Sequence, residues 1–188
     1  KIIDKKNSEV INNTKLNSKF ISVQMKDLDL KCDILKGNFF LDSFNYFPIT
    51  EELNTFSDIF LWGDKLQYDK LFNNNFLEEF NKNKNNFKSL SKIYVLGSSP
   101  GNNYYRNLIT FLPRLFFIQG DIVKLAIHRN LTNKFKNFIK YLCNKRGIKV
   151  QFVFLDDEFY DFKNSQIPSF FSLQDSLKIL NSLKESKS

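Results

Sequence analysis

The sequence predicts an α/β protein whose second half, residues 91–188, forms a Rossmann-like parallel sheet. Three observations predict this class: short apolar segments bounded by turn residues, longer segments of helical spacing between them, and short connections. A strand–helix–strand–helix–strand order with short connections is typical of a parallel sheet with helices packed on it. A smaller strand-rich region, residues 1–90, is expected to precede it.

The first region combines short strands with one helix. Alternating apolar residues in "FISVQM" and "LDLKCDIL" predict two strands, and Gly37-Asn38 offers a turn. "SDIFLWG" at 57–63 predicts another strand. The spacing of five apolar residues predicts a helix near 69–81: Leu71, Phe72, Phe76, Leu77 and Phe80. The Asn- and Lys-rich stretch 81–86 that follows is the candidate boundary loop.

The second region alternates strands and helices. "KIYVLG" at 92–97, "DIVKLAIH" at 121–128 and "KVQFVFLDD" at 149–157 predict strands. "NNYYRNLITFLPRLFF" at 102–117 and "LTNKFKNFIKYLCNKRG" at 131–147 predict the helices between them, the second capped by Thr132 or Asn133. A final helix begins after Ser172-x-x-Asp175, a variant of the capping box. Pro113 lacks an N–H, so the first of these helices should bend or change pitch there.

The formal net charge of +8 does not by itself indicate nucleic acid. Most of the positive charge is Lys, spread along a chain rich in Asn, Ile and Phe, as an AT-rich genome produces. A nucleic-acid footprint needs basic residues clustered on one face, so compositional bias explains the charge better and nucleic acid is not the expected partner.

Two distant cysteines and a single histidine match no metal-ligand spacing, so no metal site and no disulfide framework is predicted. No apolar run approaches the ~20 residues of a transmembrane helix. A cytoplasmic location is therefore expected, with peripheral contact to the inner membrane left open. The chain begins at Lys1 without a signal-peptide pattern, and we expect it to be a fragment.

The loop "GSSPGNN" follows the first strand of the second region, at the edge where open parallel sheets bind ligands. Gly97, Ser98 and Gly101 could form a phosphate cradle in front of the next helix. The loop lacks the Lys-Ser/Thr pair of a Walker A motif, and a plain strand-to-helix turn explains it as well.

The helix after that loop carries an unusual polar ridge on an otherwise aromatic surface. Spacing of three and four residues aligns Asn103, Arg106, Asn107, Thr110 and Arg114. Tyr104 begins the neighbouring apolar ridge. Because arginine stays charged and offers several donors, this ridge could line a cleft that binds carboxylate, phosphate or sugar hydroxyls. The alternative is two ordinary arginines facing solvent.

Polar residues also end the other two strands. His128 ends the second and could act as a general base or hydroxyl binder, or could simply be hydrogen-bonded. Asp156 ends the third and could accept sugar hydroxyls, although loop solubility explains a carboxylate there equally well.

The stretch "GNNYYRNLITFLPRLFFI" resembles the opening motif of glycosyltransferase family 61. That motif is an Asn followed by aromatic residues and a Leu-rich helix that ends in Leu-Pro-Arg. Asn103-Tyr104-Tyr105 and Leu112-Pro113-Arg114-Leu115 match its two ends, and the Ile-Pro-Ser segment at 167–169 also follows in order. The resemblance covers about the second half of the chain.

The resemblance implies the N-terminal, acceptor-side half of an inverting GT-B enzyme in surface or capsular polysaccharide synthesis. Such an enzyme takes a nucleotide-sugar donor and a glycan or glycolipid acceptor, usually without metal. Two departures matter: Arg106 stands where the family commonly has His, and the family's later donor-side motifs have no counterpart before Ser188. No cofactor is expected in this chain, and no catalytic residue can be assigned. The rival hypothesis is a non-catalytic binding or scaffold module for anionic ligands or nucleic acid.

Overall fold

The computed structural model describes residues 2–3, 18–43, 46–56 and 73–185. Its strands are β1 (Ile2–Ile3), β2 (Ser18–Met25), β3 (Leu30–Asp42), β4 (Thr55–Phe56), β5 (Lys88–Ser91), β6 (Ile93–Val95), β7 (Ile122–His128), β8 (Lys149–Leu155) and β9 (Phe159–Pro168). The strand predicted at 57–63 and the beginning of the helix predicted at 69–81 lie outside the described residues.

Four helices accompany these strands in the described part of the chain. They are α1 (Asn74–Asn83), the composite helix α2, α3 (Asn133–Lys145) and α4 (Leu173–Glu185). Helix α2 consists of an α-helical turn, Tyr104–Arg106, a π-helical segment, Asn107–Phe111, and a 3₁₀ segment, Leu112–Phe117. The change of pitch confirms the effect predicted for Pro113.

The strands β2, β3 and β5 to β9 form one seven-stranded sheet. Its order is β2-β3-β9-β6-β7-β8, and β5 pairs with the first part of β9. Strands β5 to β9 pair in parallel, whereas β2–β3 and β3–β9 are antiparallel. The predicted α/β class is confirmed, but the sheet is mixed and not wholly parallel. It runs across the boundary predicted near residue 90, because β3 pairs with β9.

Two local predictions in the sheet need correction. Gly37-Asn38 is not a turn but lies inside β3, where the pairing with β9 shifts register between Gly37 and Phe39. The chain reverses earlier, through Lys26–Leu28 and Asp29, which has a left-handed backbone. Strand β9 was not predicted, since Asn164 (φ 44°) interrupts the alternation of buried residues along it.

The core lies on both faces of the parallel strands. Tyr94, Leu125 and Ile127 pack beneath the helices, where α3 contributes Phe135 and Ile139. The alternate residues, Ile93 and Val95 of β6 and Ala126 of β7, pack instead with side chains of β3 and β9. The predicted caps of α3 and α4 are also present. The N–H of Phe135 donates to Thr132 Oγ1 at 3.3 Å, and the N–H of Asp175 donates to Ser172 Oγ at 3.1 Å.

Candidate functional site

The loop between β6 and α2 is held by hydrogen bonds from its own backbone. The N–H of Gly97 donates to the carbonyl of Ala126 at 3.0 Å, and the N–H of Ser98 donates to Tyr46 Oη at 3.0 Å. The N–H of Ser99 donates to Asn107 Oδ1 at 2.6 Å. A phosphate cradle needs free N–H groups, and those of Gly97 and Ser98, two of the three residues predicted to form one, are already engaged. This part of the loop is therefore a hydrogen-bonded turn.

Gly97 is required by the packing of this turn. Its backbone is left-handed, with φ of 76°, and a Cβ would lie 2.8 Å from Tyr46 Cε1 and 2.9 Å from Phe111 Cε1. The Tyr46 hydroxyl in turn donates to the Ser98 carbonyl at 3.0 Å. Gly101 differs, because an added Cβ would meet no described atom within 4 Å. Of the two glycines predicted to form the turn, only Gly97 is needed for close packing.

His128 is buried at the end of β7, and both of its ring nitrogens have partners. Nδ1 accepts the N–H of Asn130 at 3.1 Å, so the proton of the neutral ring belongs on Nε2, which donates to Asp157 Oδ1 at 2.9 Å. The backbone N–H of His128 donates to Ser98 Oγ at 2.8 Å. His128 thereby joins the loops that follow β6, β7 and β8. Neither nitrogen is free to accept a substrate proton in this arrangement.

Asp156 forms an ion pair at the rim of the same edge. Its carboxylate accepts Arg129 Nε at 2.6 Å and Arg129 Nη2 at 3.0 Å. Hydrogen bonding to this guanidinium lowers the pKa of Asp156, and the carboxylate raises the pKa of Arg129. The two side chains are about half exposed, so the pair contributes little to stability. The Asp156 backbone makes two hydrogen bonds. Its carbonyl accepts the hydroxyl of Ser43, and its N–H donates to Tyr160 Oη.

The first turn of α2 presents polar and aromatic side chains to solvent. Asn103 is the N-cap, and its Oδ1 accepts the N–H of Arg106 at 3.0 Å. Tyr104 is 60% exposed and Tyr105 is 62% exposed. The ring of Tyr104 also meets Phe135 of α3 edge to face, with centroids 5.7 Å apart. This contact orients the Tyr104 ring, which remains largely exposed.

The rest of the predicted polar ridge lies inside the protein. Asn107 and Thr110 are buried, and Asn107 Nδ2 has no hydrogen-bond partner among the described residues. The ridge was predicted from regular α-helical spacing, but the π-helical segment makes i→i+5 bonds and changes the rotation per residue. The first positions of the predicted ridge, Asn103 and Arg106, are therefore exposed, whereas the later positions are buried.

Arg114 is enclosed in the core and does not line a surface cleft. Its side chain is among the largest fully buried in the described residues. Nη1 donates to the Leu96 carbonyl at 2.6 Å, Nη2 donates to the Pro168 carbonyl at 2.7 Å, and the guanidinium carbon lies 4.0 Å from the Phe170 ring centroid. Burial lowers the pKa of Arg114 to about 10, which leaves it charged at neutral pH. The Arg114 carbonyl accepts the hydroxyl of buried Tyr94 at 2.7 Å.

The predicted residues thus divide into two groups. The first group lies at the carboxyl edge of the sheet. It contains residues of the hydrogen-bonded loops and strand ends: Gly97, Ser98, Asn107, His128 and Asp156. It also contains the beginning of α2, with the N-cap Asn103 and the exposed residues Tyr104 and Arg106. Arg114 lies apart and binds carbonyls at the ends of β6 and β9. Sequence reasoning missed Tyr46 and Asn130, the second of which links two loops through Nδ2 and the Pro100 carbonyl at 3.3 Å. Their neighbouring residues carry no recognisable motif.

Scans against protein-family models, curated proteins and solved structures give no significant match. The resemblance to family 61 therefore depends on the residues quoted above. Within the described ranges, no helix is both long and apolar enough to cross a bilayer. No group of three or more His, Cys, Asp or Glu side chains there is arranged to hold a metal ion.

Proposed function

We propose that this chain forms the acceptor-side part of an inverting, nucleotide-sugar-dependent glycosyltransferase that builds a surface polysaccharide. The observation that carries the proposal is the pair of exposed tyrosines, Tyr104 and Tyr105, at the carboxyl edge of the parallel strands. Ligands of open α/β sheets bind at this edge. The sequence resemblance to family 61 includes the same two residues.

The physical chemistry of the edge suits a carbohydrate. An aromatic ring offers a flat apolar surface to the C–H face of a sugar, while neighbouring polar groups bind its hydroxyls. Arg106, exposed beside the tyrosines, supplies several donors, and the exposed carboxylate of Asp157 supplies acceptors. The edge thus offers stacking surfaces together with hydrogen-bonding groups for an acceptor glycan.

The order β6–α2–β7–α3–β8 also supports a Rossmann-like acceptor domain, because these three strands are adjacent and parallel. In this proposal Arg114 and His128 are positioning residues that fix the loops, and the donor nucleotide sugar binds a separate domain. The catalytic base is assigned to none of the residues above, since His128 is already hydrogen-bonded at both nitrogens.

Glycan binding by the chain tests the proposal. An array of oligosaccharides from bacterial capsules and lipopolysaccharides should contain at least one that binds the wild-type chain. Replacing Tyr104 and Tyr105 together by Ala should weaken that binding about tenfold or more, because both stacking surfaces are lost. The matched control is Tyr141→Ala, which removes a 48% exposed tyrosine from α3, outside the edge.

Two results would contradict the proposal. One is an absence of binding to every oligosaccharide on the array by the folded wild-type chain. The other is an equal loss of binding in the Tyr141 control, which would show that the array reports nonspecific adsorption through exposed tyrosines.

A further inference from the structure

A polar cleft lies at the opposite, amino-terminal edge of the parallel strands. Its volume is about 230 Å³, and its polar lining consists of Lys36, Lys92, Lys124, Gln119, Asn164 and Gln166. Lys36 of β3 pairs with Gln166 of β9, and Gln166 pairs with Tyr94 of β6, so these three side chains leave the sheet on one face. Lys124 of β7 pairs with Ile93 of β6 and leaves the sheet on the other face, so the cleft at this edge is lined from both faces.

Among the described residues, no acidic side chain pairs with the three lysines in this cleft. Within the described ranges, none of the six polar side chains makes a hydrogen bond or ion pair with another residue, and no Asp or Glu lines the cleft. Lys163 on the same strand as Gln166 differs, since its Nζ lies 3.0 Å from Asp161 Oδ1. Three like charges around one concave space create a positive potential that attracts an anion.

The backbone at Lys92 gives an independent observation. Lys92 stands between β5 and β6 with φ of 57°, a left-handed conformation that Gly or Asn adopts at lower cost. A lysine there retains an unfavourable backbone in a position that lines the cleft. Backbone strain of this kind is often retained at ligand sites.

We propose that this cleft binds the phosphate monoester of a small polyhydroxylated molecule, of the sugar-phosphate class. The lysines bind the phosphate oxygens, and the amides of Gln119, Asn164 and Gln166 supply donors and acceptors for hydroxyl groups. The volume is smaller than that of a typical cofactor site, which favours a ligand of this size over a dinucleotide. The proposal does not depend on the glycosyltransferase assignment, because it concerns the other edge of the sheet.

Calorimetric titration at fixed ionic strength tests the cleft with three probes: glucose 6-phosphate, inorganic phosphate and glucose. Glucose 6-phosphate should bind the wild-type chain several-fold more tightly than inorganic phosphate, and glucose should show no binding. Lys124→Gln should weaken glucose 6-phosphate binding about tenfold or more, because a charged hydrogen bond is lost. Lys134→Gln is the matched control, since it removes one charge from an exposed position in α3.

The Lys92→Asn variant distinguishes an effect on ligand affinity from an effect on folding stability. This variant should keep or increase thermal stability, because Asn tolerates the left-handed backbone, while its affinity for glucose 6-phosphate falls about tenfold. Equal affinities of the Lys124 and Lys134 variants, or no binding by the wild-type chain, would overturn the proposal. Binding to phosphatidic acid vesicles without binding to the soluble ester would overturn the assignment to a soluble ligand.

Discussion

The two ends of helix α2 use the same residue type in opposite ways. At its beginning, Arg106 is exposed beside Tyr104 and Tyr105, and its backbone N–H donates to the cap residue Asn103. Eight residues later, Arg114 is fully buried, and its guanidinium donates to two backbone carbonyls. One helix thus provides both an open polar surface and a buried residue, Arg114, that holds two strand ends and is called the internal anchor below.

Arg114 lies where two neighbouring strands end and satisfies a carbonyl on each. Strands β6 and β9 pair only at Tyr94 and Gln166, so the carbonyls of Leu96 and Pro168 lie beyond their ladder. A buried carbonyl without a partner is costly. Arg114 spans the two chain segments and gives each carbonyl a charged donor, which fixes the path of both segments near the carboxyl edge of the sheet.

The largest expected effect comes from replacing the internal anchor. Arg114→Met removes both donors at similar volume and leaves the Leu96 and Pro168 carbonyls unsatisfied in the core. The free energy of unfolding should fall by about 3–5 kcal/mol, which urea denaturation would measure.

The matched control is Arg106→Met in the same helix. Because Arg106 is exposed, the free energy of unfolding should change by no more than about 0.5 kcal/mol. Similar losses in the two variants would refute the distinction between the two ends of α2.

The turn that precedes α2 should show the next largest effect. Gly97→Ala forces a side chain into a left-handed residue and against the rings of Tyr46 and Phe111. These two costs together amount to about 2–4 kcal/mol of unfolding free energy. Gly101→Ala should be neutral or slightly stabilising, because nothing described lies within 4 Å of its added Cβ. Thermal unfolding of both variants measures the contrast, and equal melting temperatures would be inconsistent with this packing.

Local sequence signals predicted the elements around the site well. The strands β6, β7 and β8, the caps of α3 and α4 and the change of pitch at Pro113 all follow from short-range patterns. Such features depend on apolar periodicity and on hydrogen bonds between residues close in sequence. Whether the exposed edge binds an acceptor glycan stays a prediction.

The pairing of strands that are distant in the chain could not be predicted from such short-range patterns. The place of β9 between β3 and β6 depends on residues more than 60 positions apart in the chain. The burial of Arg114 has the same origin, since its second acceptor, Pro168, ends that strand. Sequence spacing grouped Arg114 with Arg106, whereas the tertiary structure and the π-helical segment separate them.

The smallest predicted effect concerns a thiol near the internal anchor. Cys32 Sγ lies 3.7 Å from the hydroxyl of Ser169, and burial raises the pKa of Cys32 to about 11, although the Arg114 charge acts in the opposite direction. In the unfolded chain the thiol ionises near pH 9, so the unfolded state binds fewer protons above that pH. The stabilising contribution is therefore complete below pH 9 and is lost as the pH rises toward 11.

Ionisation of the Cys32 thiol in the unfolded chain should therefore lower the free energy of unfolding by about 1 kcal/mol between pH 8 and pH 10. Urea denaturation across this range should show a smaller pH-dependent loss for Cys32→Ala than for the wild-type chain, whereas Arg106→Met should keep the wild-type dependence. Equal pH dependence in the wild-type chain and Cys32→Ala would mean that the surroundings of Cys32 do not suppress its ionisation. The buried end of α2 would then be more open to water than its hydrogen bonds indicate, and the contrast between the two arginines would be weaker.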